Sequence, residues 1–454
     1  MKKQAWLTTI LITILALVLA ACGGNDGNKN NNDSGSNNGA NGDSGEKVEL
    51  HVAALESAYG KEGWEKVIEA YEEVNENVDI TLTSEKNLEE VIRPQMQAGD
   101  YPDVVLLATD REEALTETLI KEKGLESLSD IGDLTIPGED ATVNDKLLDG
   151  FLDTLATNPY GDDETYMAPM FYSPTGLFYN AGLLEEKGWD LPETWEDMFE
   201  LGDKAEEEGI SLFTYPVAGY FDTFIGATLY AAGGPDFFES VMTYEEGVWD
   251  TPEAEKVLET VEKLKDYTHP NTVANANPND FTKNQQLILD NEAIFMPNGS
   301  WVIEEMKEAP REDGFEWGMM AVPGFDDGDD QYAFTFFEQI WVPAEAKNKD
   351  AAKDFIAFMY SDAAAEAFLE VGAVQPIEGI VDELNDEMQI FYGVYEEGAL
   401  PAMGSFAATS PVPGVSISDE LYQKIDSVIS GDITLEQWQE DIAEASDKLR
   451  DAME

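Results

Sequence analysis

Cysteine is almost missing from this sequence: Cys22 is the only one in 454 residues. A lone thiol excludes a disulfide framework within the chain and any zinc site built from cysteines. Histidine is nearly as scarce, with His51 and His269 far apart in the chain. Histidine metal clusters and most His-dependent triads are therefore disfavoured, and no cofactor is expected. Cations are few. Lys and Arg number 26 against 94 Asp and Glu, a formal net charge of −68. Phosphate contacts need clustered Lys and Arg, so a nucleic-acid partner is excluded, and so is electrostatic attachment to anionic lipid. A P-loop of the G-x-x-x-x-G-K-[ST] form is also absent.

What is present is a body large enough to bury a core. Hydrophobic residues make up 43% of the chain, and the length suits two to three ordinary domains or one large two-lobed one. The carboxylates are dispersed rather than gathered in a tail. Dispersed surface acid keeps a protein hydrated when salt screens charge, which suggests a halophilic or alkaline extracellular setting. The runs Asp326-Asp327-Gly328-Asp329-Asp330 and Asp162-Asp163-Glu164 lack EF-hand spacing and read as solvated loops.

The N-terminus reads as an address. Met1-Lys2-Lys3 precedes an apolar stretch from Ala5 to Ala21, ending in Leu19-Ala20-Ala21-Cys22-Gly23. Residues 1–21 fit a secretory signal. The small residues before the only cysteine resemble a bacterial lipobox, which implies lipidation of Cys22. The alternative is an uncleaved membrane helix, for which the apolar run is near the lower length limit. Residues 22–46 are mostly Gly, Asn, Asp and Ser and read as a flexible tether. Signal, anchor and tether together place the body outside the cytoplasm, held at the outer face of a cell membrane, in a Gram-positive bacterium.

From Lys47 the pattern alternates between periods. Val48, Leu50 and Val52 alternate as a strand; Trp64, Val67, Ile68 and Tyr71 follow helical spacing; Ile80 and Leu82 alternate again. A helix near Leu88–Ala98 precedes Val104-Val105-Leu106-Leu107, a run suited to a strand buried on both faces. This order predicts an α/β fold with a mainly parallel sheet. Helix starts are signalled at Thr194 with Asp197, at Asp250-Thr251-Pro252, and at Thr434 with Gln437. Leu435, Trp438, Ile442, Ala445 and Leu449 form a core stripe.

Four segments in order resemble the carbohydrate-binding extracellular solute-binding proteins of ABC importers. They are Gly99-Asp100-Tyr101-Pro102-Asp103-Val104-Val105; PMFYSPTGLFYN (169–180) with Leu191-Pro192-Glu193-Thr194-Trp195; Ala293 to Trp301; and Gln339-Ile340-Trp341-Val342-Pro343 with Lys347-Asn348-Lys349. The phrasing looks most like the family 1, maltose-binding-protein-like group, and within it the N-acetylglucosamine and chitooligosaccharide binders. The resemblance implies a two-lobed, periplasmic-binding-protein-like type II fold with a ligand cleft between lobes. Lobe 1 would hold residues 47–171 plus 336–376, and lobe 2 residues 172–335 plus 377–454. It also implies a non-enzymatic, monomeric receptor that closes on a sugar or oligosaccharide and passes it to ABC permease subunits.

A sugar needs an aromatic platform for its C–H face and paired donors and acceptors for its hydroxyls. By resemblance Trp301 and Tyr220 are platforms, with Phe221 beside Tyr220. A core role is the alternative for Trp301. Tyr172, at the first crossing, offers ring or hydroxyl or serves only as a hinge. Tyr59 precedes Gly60, where backbone can approach ligand. Asp110 and Arg111 follow the third strand and match a hydroxyl-gripping position; for Arg111 a surface ion pair is the competing reading. Phe337 and Glu338 lie in the second crossing, Glu56 ends the first strand, Asn298 suits an N-acetyl group, and Gln375 is the weakest candidate. Two other readings stay open: an extracellular glycosidase using two carboxylates, and a receptor for a quaternary ammonium osmolyte in an aromatic cage.

Overall fold

A computed structural model describes residues 47–453, apart from Ala58, Asp110, Glu112, Asp153, Asp163, Ala408 and Pro411. The signal segment, the tether, Cys22 and Asp110 lie outside the described residues.

Strand β1 (Val48–Leu55) pairs in parallel with β2 (Val78–Glu85) and β3 (Val104–Leu106). Parallel neighbours need a crossover, supplied by the helices Glu62–Val74 and Leu88–Gln97. The first of these buries Trp64, Val67, Ile68 and Tyr71, as their spacing predicts. Side chains of β1 alternate between two cores: Leu50, Val52 and Ala54 enter one, Ala53 and Leu55 the other. The Val104–Leu107 run divides the same way, so this strand region is buried on both faces.

The remaining strands are β4 (Met167–Asn180), β5 (Ser211–Phe213), β6 (Ala293–Gly299), β7 (Trp317–Met320), β8 (Tyr332–Trp341) and β9 (Leu400–Ala402). The main path runs β2-β1-β3-β8-β4-β6-β5, with β7 on β4 and β9 on β8. The expected mainly parallel sheet is in fact mixed. β3–β8, β4–β6, β4–β7 and β4–β8 are all antiparallel. The cause lies in two long strands. β4 spans 14 residues, about 46 Å at strand rise. Its first half pairs with β8 from Met167↔Trp341 to Pro174↔Thr335, and its second half pairs with β6 and β7. β8 likewise touches β3 at one end and β9 at the other. Each half of the molecule therefore receives strands running against its own.

Two of the sequence motifs meet in structural work. Asp103, almost wholly buried, accepts from His51 N (3.0 Å), Lys347 N (3.2 Å), and Asn348 N (2.9 Å) and Nδ2 (3.2 Å). This joins β1 and β3 to the segment after β8. The Thr194–Asp197 capping box has both halves in place, Thr251 caps a helix beginning at Pro252, and Thr434 caps Leu435–Asp451. Each such cap is worth about 1 kcal/mol.

The segment around Gln375 runs beside β4. Tyr172 N donates to Val374 O at 3.1 Å, and Leu148 N to Pro376 O at 3.0 Å. The segments around Tyr172 and Leu148 are thus both bonded to the stretch 374–376.

Candidate ligand-binding site

All seven residues of β6 are buried. Trp301 follows after Ser300, and its ring folds back over the strand end. A Cβ on Gly299 would lie 2.2 Å from the six-membered ring, so only glycine permits this approach. Trp301 Nε1 donates to Tyr220 Oη at 3.1 Å. The ring centroids are 6.2 Å apart, and Phe336 lies 6.3 Å from Trp301 at 40°. Phe336 is 46% exposed, a large apolar surface left open to solvent. Burial raises the Tyr220 phenol, and the Trp301 hydrogen bond opposes that rise.

Glu338 stands two residues beyond Phe336 in β8. Strand alternation puts both on one face, about 7 Å apart. In the register Glu338 lies opposite Phe171, whose ring meets Tyr59 edge-on at 5.4 Å. Burial pushes the Glu338 carboxyl up to about 7, against the opposing charge of Arg111. Burial also raises Tyr59, helped by the Glu338 charge and opposed by the Ser173 hydroxyl. Arg111 Nε donates to Glu89 Oε2 at 3.0 Å, and Glu89 is only 2% exposed. The guanidinium is thus paired with a buried carboxylate while its charge also acts on Glu338. Among the described residues, Glu338 Oε2 is shut off from water without a hydrogen-bond partner.

The structure thus brings Trp301 and Tyr220 together, and separately Tyr59, Arg111 and Glu338. Phe336 and Glu338 on β8 join the two groups. Other expected residues lie elsewhere. Asn298 is buried, and its Oδ1 accepts from Gly299 N at 2.9 Å. Tyr172 is buried, edge-on to Phe151 and Tyr392, so it offers no ring to a cleft. Phe337 takes the opposite face of β8 and packs against the core. Gln375 is buried and donates to Met359 O at 2.7 Å. Glu56 lies 3.8 Å from Lys86 Nζ. Phe221 is buried in the core under Tyr215 and Phe224.

Sequence reasoning missed Phe336, Ser173 and Glu89. The first was signalled by alternation along β8, given the register. Nothing local marked Glu89, which meets Arg111 only through the fold.

A void of about 10 Å³ beneath Thr175, Gly176 and Phe334 is far too small for a pyranose ring. An open groove of about 480 Å³ between the helices Trp195–Glu206 and Pro252–Lys263 is lined by none of these residues. Among the described residues, no three His, Cys, Asp or Glu side chains converge to hold a metal ion.

Residues 66–387 match the sequence profile of a family described as bacterial extracellular solute-binding protein. The chain belongs to that family. This solute-binding protein is 29% identical over 205 residues to the diacetylchitobiose binding protein NgcE of Streptomyces coelicolor, a match covering 42% of each chain. It is 20% identical over 339 residues to the multiple sugar-binding protein of Streptococcus mutans, covering 71% of this chain and 74% of that one. It therefore spans less than half the length of the Streptomyces relative. Among solved structures, the bacterial solute receptor AcbH, with an exclusive preference for β-D-galactopyranose, superposes with a TM-score of 0.65 at 17% identity. That superposition covers 89% of this chain and 100% of AcbH. The solute-binding protein shares the two-lobed α/β fold of these receptors. No helix among the described residues is long and apolar enough to cross a membrane.

Proposed function

We propose that this protein captures a neutral saccharide between two lobes and delivers it to a membrane permease, without chemical change to the ligand. The single observation that carries the reading is β8, which presents Phe336 toward Trp301 and Tyr220, and Glu338 toward Tyr59 and Arg111. An aromatic group beside a carboxylate and a guanidinium matches what a pyranoside needs: a platform for its C–H face and partners for its hydroxyls. The sugar ligands named for the relatives support the same class. The proposed lobes are 47–171 plus 336–376 and 172–335 plus 377–454, hinged where Tyr172, Phe336 and Gln375 cross. Hinge closure over a ligand would bury the exposed Phe336. The remaining parts of the proposal are a monomeric body outside the cytoplasm, a lipid on Cys22, and residues 22–46 as tether.

The test is calorimetric titration with diacetylchitobiose and maltotriose, followed by chromatography of the recovered sugar. Saturable binding with intact sugar supports the reading. Shortened products would identify a glycosidase instead, and binding of glycine betaine alone would identify an osmolyte receptor.

A further inference from the structure

We propose that ligand capture drives a proton off Glu338, making this carboxylate the residue that couples affinity to pH. The inference rests on the saccharide reading above and deepens it. Glu338 is fixed by the β8 register opposite Phe171, one pleat from the exposed Phe336. This coupling requires a ligand lying on the aromatic group to extend one pleat along β8 to this carboxyl. Glu338 Oε2 has no hydrogen-bond partner among the described residues. A buried acceptor left unpaired is costly, and more so when charged.

The groups facing Glu338 come from several elements. Arg111 approaches after β3, with Glu89 of the Leu88–Gln97 helix behind it. Tyr59 approaches after β1, and Ser173 from β4 lies against both Tyr59 and Tyr392. Asp110 and Glu112, beside Arg111 in sequence, lie outside the described residues. Of the facing groups described, Arg111 alone is a cation, and its Nε is committed to Glu89. In the free protein burial holds the carboxyl protonated up to about pH 7. A sugar hydroxyl donating to the carboxylate favours its charged form. The proton leaves to solvent, and no covalent bond changes.

The sign follows from linkage. Below pH 7 the free protein carries a proton that the complex has lost, so affinity rises with pH and levels off above 7. The slope approaches tenfold per pH unit, and between pH 6 and pH 8 the gain is roughly fivefold or more. Titration calorimetry with diacetylchitobiose and with maltotriose, at pH 6 and pH 8, tests this. Two buffers of different ionisation heat count the protons. Release approaching one proton at pH 6, with tighter binding at pH 8, supports the proposal. In Glu338→Gln the pH dependence should vanish, its thermal unfolding serving as the check of fold. Should that variant not fold, the proton count on the unaltered protein decides alone. Sugar binding with equal affinity at both pH values and no proton release overturns the proposal and leaves the saccharide reading intact. Persistence of the pH dependence in Glu338→Gln also overturns it. Silence toward both sugars removes the saccharide reading and this inference with it.

Discussion

Phe336 and Glu338 occupy one face of the same strand, yet each answers to a different half of the molecule. Phe336 meets Trp301, just past the end of β6, while Glu338 interacts through its charge with Tyr59 and Arg111, after β1 and β3. β8 pairs with β3 at one end and with β9 at the other, so residues two apart on it face different neighbours.

Removal of the Trp301 ring should abolish the platform and free the Tyr220 hydroxyl. Trp301→Ala is expected to bind saccharide at least tenfold more weakly, about 1.4 kcal/mol or more. Calorimetry checks this, with thermal unfolding to show that the variant is folded.

Gly299→Ala places a methyl group 2.2 Å from the Trp301 ring. The ring must swing away or the strand must shift. The expected cost is about 1–3 kcal/mol of stability, together with weaker binding. Denaturant unfolding and titration of the same sample measure both.

Arg111→Ala leaves the Glu89 carboxylate buried without its cation. Stability should fall by about 1–3 kcal/mol, measured as a lower denaturation midpoint. The loss of positive charge should also raise the Glu338 carboxyl further. A variant with unchanged stability would show that the Glu89 pair contributes little.

Tyr172→Phe makes the opposite case. The Tyr172 hydroxyl is buried and has no partner among the described residues. Its deletion should leave stability unchanged or slightly higher, and leave saccharide affinity unaltered. A loss of binding would return Tyr172 to the ligand site.

Glu338 also sets a stability trend. Its folded-state carboxyl titrates at about 7, above its ordinary value of 4.5. The folded chain thus holds a proton that the unfolded chain has lost. The contribution is fully present below pH 4.5 and is lost as pH rises through 7. The size is on the order of 3 kcal/mol. The difference between wild type and Glu338→Gln, in denaturant unfolding at pH 4.5 and pH 8, isolates it from the other carboxylates.

Local periodicity made much of the fold legible. The helix of Trp64, Val67, Ile68 and Tyr71, the strand of Leu50 and Val52, and the Thr194–Asp197 cap all depend on neighbours a few residues away. The mixed sheet was not legible, because β3–β8 and β4–β8 pairings join segments far apart in the chain. The site divides in the same way. Trp301 and Tyr220 were found through motif resemblance, and the fold brings them into contact. The choice between Phe336 and Phe337 depends on strand register, which adjacent aromatic residues do not reveal. Asn298 sits in a suggestive motif, but its amide caps the strand end. Glu89 pairs with Arg111 across 22 positions, with no pattern in the chain to announce it.

The central claim is that β8 presents one saccharide to both halves at once. Calorimetric titration of diacetylchitobiose and maltotriose against wild type, Trp301→Ala and Glu338→Gln tests it most directly. The account predicts saturable binding of at least one sugar to wild type, and weakening in both variants at pH 8. Unchanged affinity in both folded variants, or no binding of either sugar to wild type, would contradict it.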